Sequence, residues 1–230
     1  MRKLAGWTMA ALQGAVLAAA LSVGAPASAQ ELADFDYEHL SFRGIGAEWG
    51  YLYPSRVEET QSYGLRVDLG YLGPGLRLVP GVTYWSSPLK DSEVAELENS
   101  VEGLIEDQTG EPSPPVDLGQ ITWSDIALSL DAQVVWRVPF GILTYAGLGG
   151  ALHILNGDGV AINGTFVEDL LDSVTPGINL HLGFEYPLHE RLRIQSQGRY
   201  EVLGDLQYFQ IRLGAQFMIG DPHPGEVGTP

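Results

Sequence analysis

The sequence predicts an all-β fold: an eight-stranded antiparallel up-and-down transmembrane β-barrel, with long loops at one end and short turns at the other. Three observations predict it. Most of the chain is made of stretches in which every second side chain is apolar, the period of a strand with two unlike faces. The connections alternate between tight Gly/Pro turns and longer polar segments, as in barrels that cross a bilayer. Arginine, acid and glycine share one parity, while the other parity is apolar with aromatic residues toward its ends.

The strands follow in order. "SFRGIGAEWGYLY" sets Ile45, Ala47, Trp49, Tyr51 and Tyr53 against Gly44, Gly46, Glu48 and Gly50, with Arg43 the one charge on the apolar parity. "QSYGLRVDLGYL" sets Tyr63, Leu65, Val67, Leu69 and Tyr71 against Gly64, Arg66, Asp68 and Gly70, and a Gly-Pro-Gly turn at 73–75 closes it. "LRLVPGVTYW" follows, with Pro80 an awkward residue for mid-strand. "SDIALSLDAQVVWRV" places Ile126 to Val138 opposite Asp125, Asp131, Gln133 and Arg137. A "PFG" turn leads to "ILTYAGLGGALHIL", the least two-faced of the set. "INLHLGFEY", "LRIQSQGRYEV" and "YFQIRLGAQFMIG" complete the eight. Connections after the first, third and fifth strands read as long, and that after the seventh as modest. The loop over 86–120 holds nine acids and one lysine, and "DSEVAELENSVEGLIEDQ" has helical spacing at Val94, Leu97, Val101, Leu104 and Ile105, with Asp91 or Ser92 as its cap. A hairpin hidden in that loop would raise the count to ten strands. "NGTFVEDLLDSV" invites a second, short helix.

Composition bounds the function. The 230 residues suit one domain, and a net charge of −17 argues against nucleic acid as a partner. The absence of cysteine excludes disulfides and thiolate metal sites. Residues 1–29 have the parts of a secretory signal: Arg2 and Lys3, an Ala/Leu-rich run, and Ala27-Ser28-Ala29 as the cleavage site. Residues 30–38 read as a lead-in, 39–220 as the barrel and 221–230 as a short Pro/Gly-rich tail. After the signal no run of about 18 apolar residues exists, so no spanning helix is expected.

Either face of such strands can in principle be the buried one. A soluble barrel puts the apolar parity inside; a membrane barrel turns it to lipid. Three features select the membrane. Tyrosine and tryptophan sit at strand ends on the apolar parity (Tyr51, Tyr53, Tyr63 and Tyr84 at one end; Tyr71, Trp136 and Tyr186 at the other), which is the interfacial girdle. The charged parity is rich in glycine, which solvated strands avoid but a crowded lumen needs. Its cations, Arg66, Arg77, Arg137, Arg191, Arg193, Arg199 and Arg212, are all arginine, the residue suited to enclosed, multiply bonded ion pairs. Eight strands leave an interior that side chains fill. Glu48, Arg66, Asp68, Asp131, Arg199 and Arg212 are therefore expected to pair across the lumen as its central layer, without steady pore activity.

With these residues in view the chain resembles the small outer-membrane β-barrels of Gram-negative bacteria, the OmpA, OmpX and OmpW-like group. "VPFGILTYAGLGGAL" looks like that family's turn and Tyr-x-Gly-x-Gly strand, and "RLGAQFMI" fits its terminal-strand insertion signal, with Arg212, Gly214, Phe217 and Ile219 in the signal positions. The resemblance covers most of the chain after about Tyr37. It implies the outer membrane as the location, its lipid and lipopolysaccharide as the surroundings, the barrel assembly machinery as a partner, and a monomer without cofactor. The tail beyond 220 departs from a family in which the final aromatic often ends the chain, and it is too short for a peptidoglycan-binding domain.

Other motifs read as structural. "NGDG" at 156–159 lacks the spaced carboxylates of a calcium loop, and "GLGG" at 147–150 opens no helix that would bind phosphate. His153 and His181 share the lumen parity, but neither has the serine two residues away that the lipid A deacylases carry. The expected function is a non-catalytic envelope or surface-interaction barrel. The alternatives are a narrow passage for small or hydrophobic solutes and a lipid-modifying enzyme.

Overall fold

All the strand pairings are antiparallel, nearly all join neighbours in sequence, and the first strand pairs with the last, so the sheet closes. The computed structural model describes residues 40–73 and 75–219; the signal segment, the whole lead-in, His39, Pro74, Gly220 and the tail lie outside the described residues. The strands are β1 (Gly44–Pro54), β2 (Thr60–Asp68), β3 (Tyr71–Gly73), β4 (Leu76–Pro88), β5 (Thr122–Val138), β6 (Ile142–Asp158), β7 (Ser173–His189), β8 (Leu192–Leu203) and β9 (Leu206–Met218). β2 and β3 both pair with β4 and act as one interrupted strand, so the barrel has eight walls. The ladder from Gly44↔Met218 to Pro54↔Tyr208 joins β1 to β9.

The interruption has a local cause. Gly70 takes φ +75°, a left-handed value that inserts a kink between β2 and β3. A one-residue slip exchanges the faces of a strand, so Tyr71 turns inward and is buried rather than joining the outer girdle as expected. Arg43, read as the charge on the apolar parity, is buried as well, with its guanidinium 5.3 Å from the centre of the Tyr71 ring. Pro80 sits within β4 without harm. Residues two apart point their amides to the same flank, and the Leu78 amide donates to Gly70 O, so the missing proline N–H falls opposite the break.

The loop lengths differ from expectation in one place. The connection after β1 spans only 55–59, whereas 89–121 and 159–172 are long and 204–205 is tight. At the other end two residues separate β3 from β4, and 139–141 and 190–191 are tight turns. The acidic loop contains a helix, α1 (Asp91–Thr109), and no hairpin, which removes the ten-stranded alternative. Its N-cap is Lys90 instead of Asp91 or Ser92; the Lys90 ammonium donates to Pro54 O at 2.9 Å and Ser55 O at 2.8 Å, which moors the helix to the β1–β2 loop. Gly110, at φ +71°, ends it. A second helix, α2 (Phe166–Leu171), is capped by Thr165, whose hydroxyl accepts from the Val167 amide.

The two parities separate cleanly. Ile45, Trp49, Tyr63, Leu65, Tyr84, Leu128, Leu130, Leu180, Phe184, Ile211 and Leu213 face outward and are exposed. Arg66, Arg77, Asp125, Glu185, Arg199 and Glu201 face inward and are buried. A water-soluble protein does not expose apolar surface that encircles it while burying its charges; hydrocarbon around the barrel accounts for both. No helix among the described residues is long and apolar enough to cross a membrane.

Gly70→Ala should cost about 1–2 kcal/mol, because alanine there meets both a left-handed backbone and the Arg43 side chain at 2.8 Å. Gly73→Ala, where an added methyl group meets nothing within 4 Å, should stay within about 0.5 kcal/mol. Reversible urea unfolding from lipid vesicles measures both.

Candidate functional site: a polar lumen under an apolar cap

Side chains from all strands converge in the lumen. At the turn end Glu185 of β7 accepts from Arg77 at 2.6 and 3.0 Å and lies 3.5 Å from Arg66 and 3.6 Å from Arg193. Arg77 also donates to Gln133 Oε1, at 2.7 and 3.1 Å, and reaches Asp68 at 3.5 Å. The guanidinium carbons of Arg66 and Arg77 lie 5.9 and 5.4 Å from the ring centre of buried Tyr145, within cation–π range. One level up, Glu48 accepts from Gln195 at 2.5 Å, from Arg212 at 3.2 Å and from Arg66 at 3.4 Å. Arg212 donates onward to Gln210, which bonds Ser62.

Nearer the loop end Arg199 donates to Asp131 and Glu201, both at 2.7 Å. His153 stands between two carboxylates, with Nδ1 2.8 Å from Asp125 and Nε2 3.3 Å from Glu201. Asn179 donates to Asp131 at 3.2 Å and bonds His181, which in turn meets Gln133 at 3.2 Å. One chain of polar contacts thus runs from Glu185 through Arg77, Gln133, His181, Asn179, Asp131, Arg199 and Glu201 to His153. Among the described residues six arginines (43, 66, 77, 193, 199, 212) and six acids (48, 68, 125, 131, 185, 201) are buried here, a formal balance of zero. Taking such charges out of water costs several kcal/mol per ion, and the glutamines and asparagine offset this by using the lone pairs and N–H groups that the ions leave open.

Small residues make the space. A methyl group on Gly149 would stand 2.0 Å from Asp131 Oδ1 and 2.6 Å from Asn179 Nδ2; one on Gly147 would stand 2.7 Å from His181 Nε2. "GLGG" is therefore a clearance strip for the side chains of β5 and β7.

Above the ions the inward parity becomes apolar. Leu52, Trp85, Leu155, Leu203 and Tyr208 close the mouth from the strands, with Val57, Leu89, Ile121, Ile162 and Val167 from the loops. Helix α1 lays Val94, Leu97, Val101 and Ile105 on this cluster. Its acids face a different task. Glu98, Glu102 and Glu106, one helical turn apart, accept from the backbone amides of Leu118 (2.9 Å), Val116 (2.8 Å) and Ser113 (3.1 Å). The returning segment has no strand partner there, and the carboxylates take the place of a ladder. Arg56 pairs with Glu93 at 2.6 Å and covers Trp123 at 5.8 Å.

The residues singled out from sequence fall as follows. Glu48, Arg66 and Arg212 meet each other; Asp131 and Arg199 meet one level higher; Asp68 ends β2 and lies near Arg77 at the turn end. Arg191 is exposed in the β7–β8 turn and lines no lumen. Gly214 lies inside against β1, where a methyl group would stand 2.7 Å from Ala47 O, while Phe217 and Ile219 are exposed outside. Sequence reasoning left out of the central layer Arg77 and Glu185, the densest contact in the lumen, and missed the apolar cap entirely. The signal for the cap was present: Leu52, Trp85, Leu155 and Leu203 break the polar parity just before loops.

No protein-family model and no curated protein sequence matches the chain. Solved structures do match it. Neisserial surface protein A aligns with 79% of this chain and 100% of its own at a TM-score of 0.54 and 11% identity. The fold is that of the small outer-membrane β-barrels. The attachment invasion locus protein Ail of Yersinia pestis (TM-score 0.47, 11% identity, 78% of this chain and 99% of its own) and the N-terminal barrel of Pseudomonas aeruginosa OprF (0.45, 13%, 76% and 97%) also match.

Glu185→Ala should cost about 3–5 kcal/mol of folding stability, since it leaves Arg77 buried without its closest anion. Gly149→Ala should cost about 1–3 kcal/mol through overpacking against Asp131. Both are read from urea unfolding in lipid vesicles.

Proposed function

We propose that this protein is a non-catalytic, monomeric barrel of the Gram-negative outer membrane that contributes envelope structure or presents its loops for surface interaction. Its lumen is closed to steady flow. The ion-pair network beneath an apolar cap carries this reading: between Glu48, Arg66, Asp131, Gln197 and Arg212 the free volume is about 10 Å³, room for one water at most. The loops at the capped end face outward from the cell and the tight turns face the periplasm. Outer-membrane lipid and lipopolysaccharide surround the aromatic belt. The barrel assembly machinery reads Arg212, Gly214, Phe217 and Ile219 on the last strand as its insertion signal.

Two rivals gain less support. A passage for hydrophobic solutes needs an apolar entrance, whereas the cavity of about 410 Å³ beside α1 carries Glu58, Asp91, Glu98 and Asp117 on its walls. A His-dependent enzyme needs a free ring nitrogen beside a nucleophile, and both nitrogens of His153 lie within bonding distance of carboxylates.

Purified, refolded protein in planar lipid bilayers should give no steady conductance, and incubation with lipid A should release no fatty acid. Steady large openings would overturn the closed lumen; acyl release lost in His153→Ala would overturn the absence of catalysis. The folded barrel should also run faster on detergent gels before heating than after.

A further inference from the structure

One side chain outside the lumen is held against the preference of its own backbone. Phe140, at the tip of the β5–β6 turn, has φ +71° and ψ +19°, and it is the sole non-glycine residue with positive φ among the described residues. That region suits glycine and asparagine; a bulky side chain there is an outlier. The ring gains nothing from the protein in return, since Phe140 is 91% exposed. Pro139 before it and Gly141 after it, at φ +73°, are ordinary turn residues, so the phenylalanine is the anomaly of the turn. The turn itself uses a left-handed residue at this place, but nothing in the fold uses a phenyl ring there, and a ring kept at that cost points to a use outside the fold.

The surroundings identify that use. The outward stripe of β5 runs Val134, Trp136, Val138, and Ile142 pairs with Val138 across the hairpin. Phe140 sits in the turn immediately beyond this pair, at the end of the stripe. The next tip round the barrel also ends apolar: Tyr186 and Leu188 near the end of β7 are exposed. The turn-end girdle of Trp136 and Tyr186 sets the level of the hydrocarbon edge, and the headgroup layer lies immediately beyond it. We propose that Phe140 is an interfacial anchor that seats the β5–β6 hairpin in the glycerol–acyl boundary of the leaflet at the turn end. The occupant of this surface is lipid, through continuity with the outer apolar belt. The left-handed backbone is the device that holds the ring off the sheet and in that layer.

The proposal and a purely structural turn differ in the sign of one measurement. Phe140→Asn relieves the backbone strain and removes the ring. If the ring has no partner, this variant unfolds from lipid vesicles at higher urea than the parent; if lipid holds the ring, it unfolds at lower urea, while Phe140→Trp keeps the parent midpoint. We expect the lower midpoint for Phe140→Asn. In lipid nanodiscs, magnetisation transfer from the Phe140 ring protons should reach lipid glycerol and acyl protons, as it should for Tyr186. An unchanged or raised midpoint for Phe140→Asn would overturn the anchor. So would lipid contact at Tyr186 together with water contact alone at Phe140, an outcome that leaves the membrane barrel itself intact.

Discussion

Hydrocarbon offers no hydrogen bonds, and everything in this molecule answers to that. Backbone amides and carbonyls can be satisfied only by neighbouring strands, so the sheet must close, which it does between β1 and β9. Once closed, the barrel has an outside that cannot carry charge and an inside too narrow for bulk water. The polar side chains therefore go inward, and each charge must find its opposite there. The balance of six buried arginines and six buried acids is the arithmetic form of that requirement. Glu185 shows how dense the solution is, with three arginines within 3.6 Å. Arginine rather than lysine follows from the same need, since a planar fork can serve two anions and a glutamine together.

The loop end obeys the opposite rule. There the barrel rises toward water and is covered by α1 and the loops, and its interior turns from ionic to apolar. Trp85, Leu155, Tyr208 and Val101 form a core of the kind found in soluble proteins, set on top of a core that is polar throughout. His153, between Asp125 and Glu201, marks the level at which one gives way to the other. A helix whose sequence reads as an acidic surface element thus also closes the mouth.

Much of this was legible beforehand because alternation over ten or more residues admits few interpretations. The parity of Arg66, Arg199 and Arg212 located the lumen, and the parity of Tyr63, Tyr84 and Tyr186 located the lipid. What was not legible depends on geometry that parity does not carry. Tyr71 was misplaced because a left-handed glycine shifts the register by one residue, and nothing in "DLGYL" distinguishes that glycine from its neighbours. Arg77 and Glu185 are far apart in sequence and meet because strands β4 and β7 stand across a narrow barrel. The cap was hidden because inward apolar residues at a strand end look like noise in a polar parity until the helix above them is seen.

The three glutamates of α1 that hold the backbone of Ser113, Val116 and Leu118 bear on how the outer end meets its environment. An ion or basic ligand arriving at the mouth would find part of the acidity already engaged, one oxygen of each carboxylate facing an amide and the spacing frozen by the helix. The formal charge of −17 therefore overstates what a visitor can grip. Evolution of this loop is tethered in the same way: inserting a single residue between Glu98 and Glu102 would swing the second carboxylate roughly 100° around the axis and unfasten the strand-like return beside it.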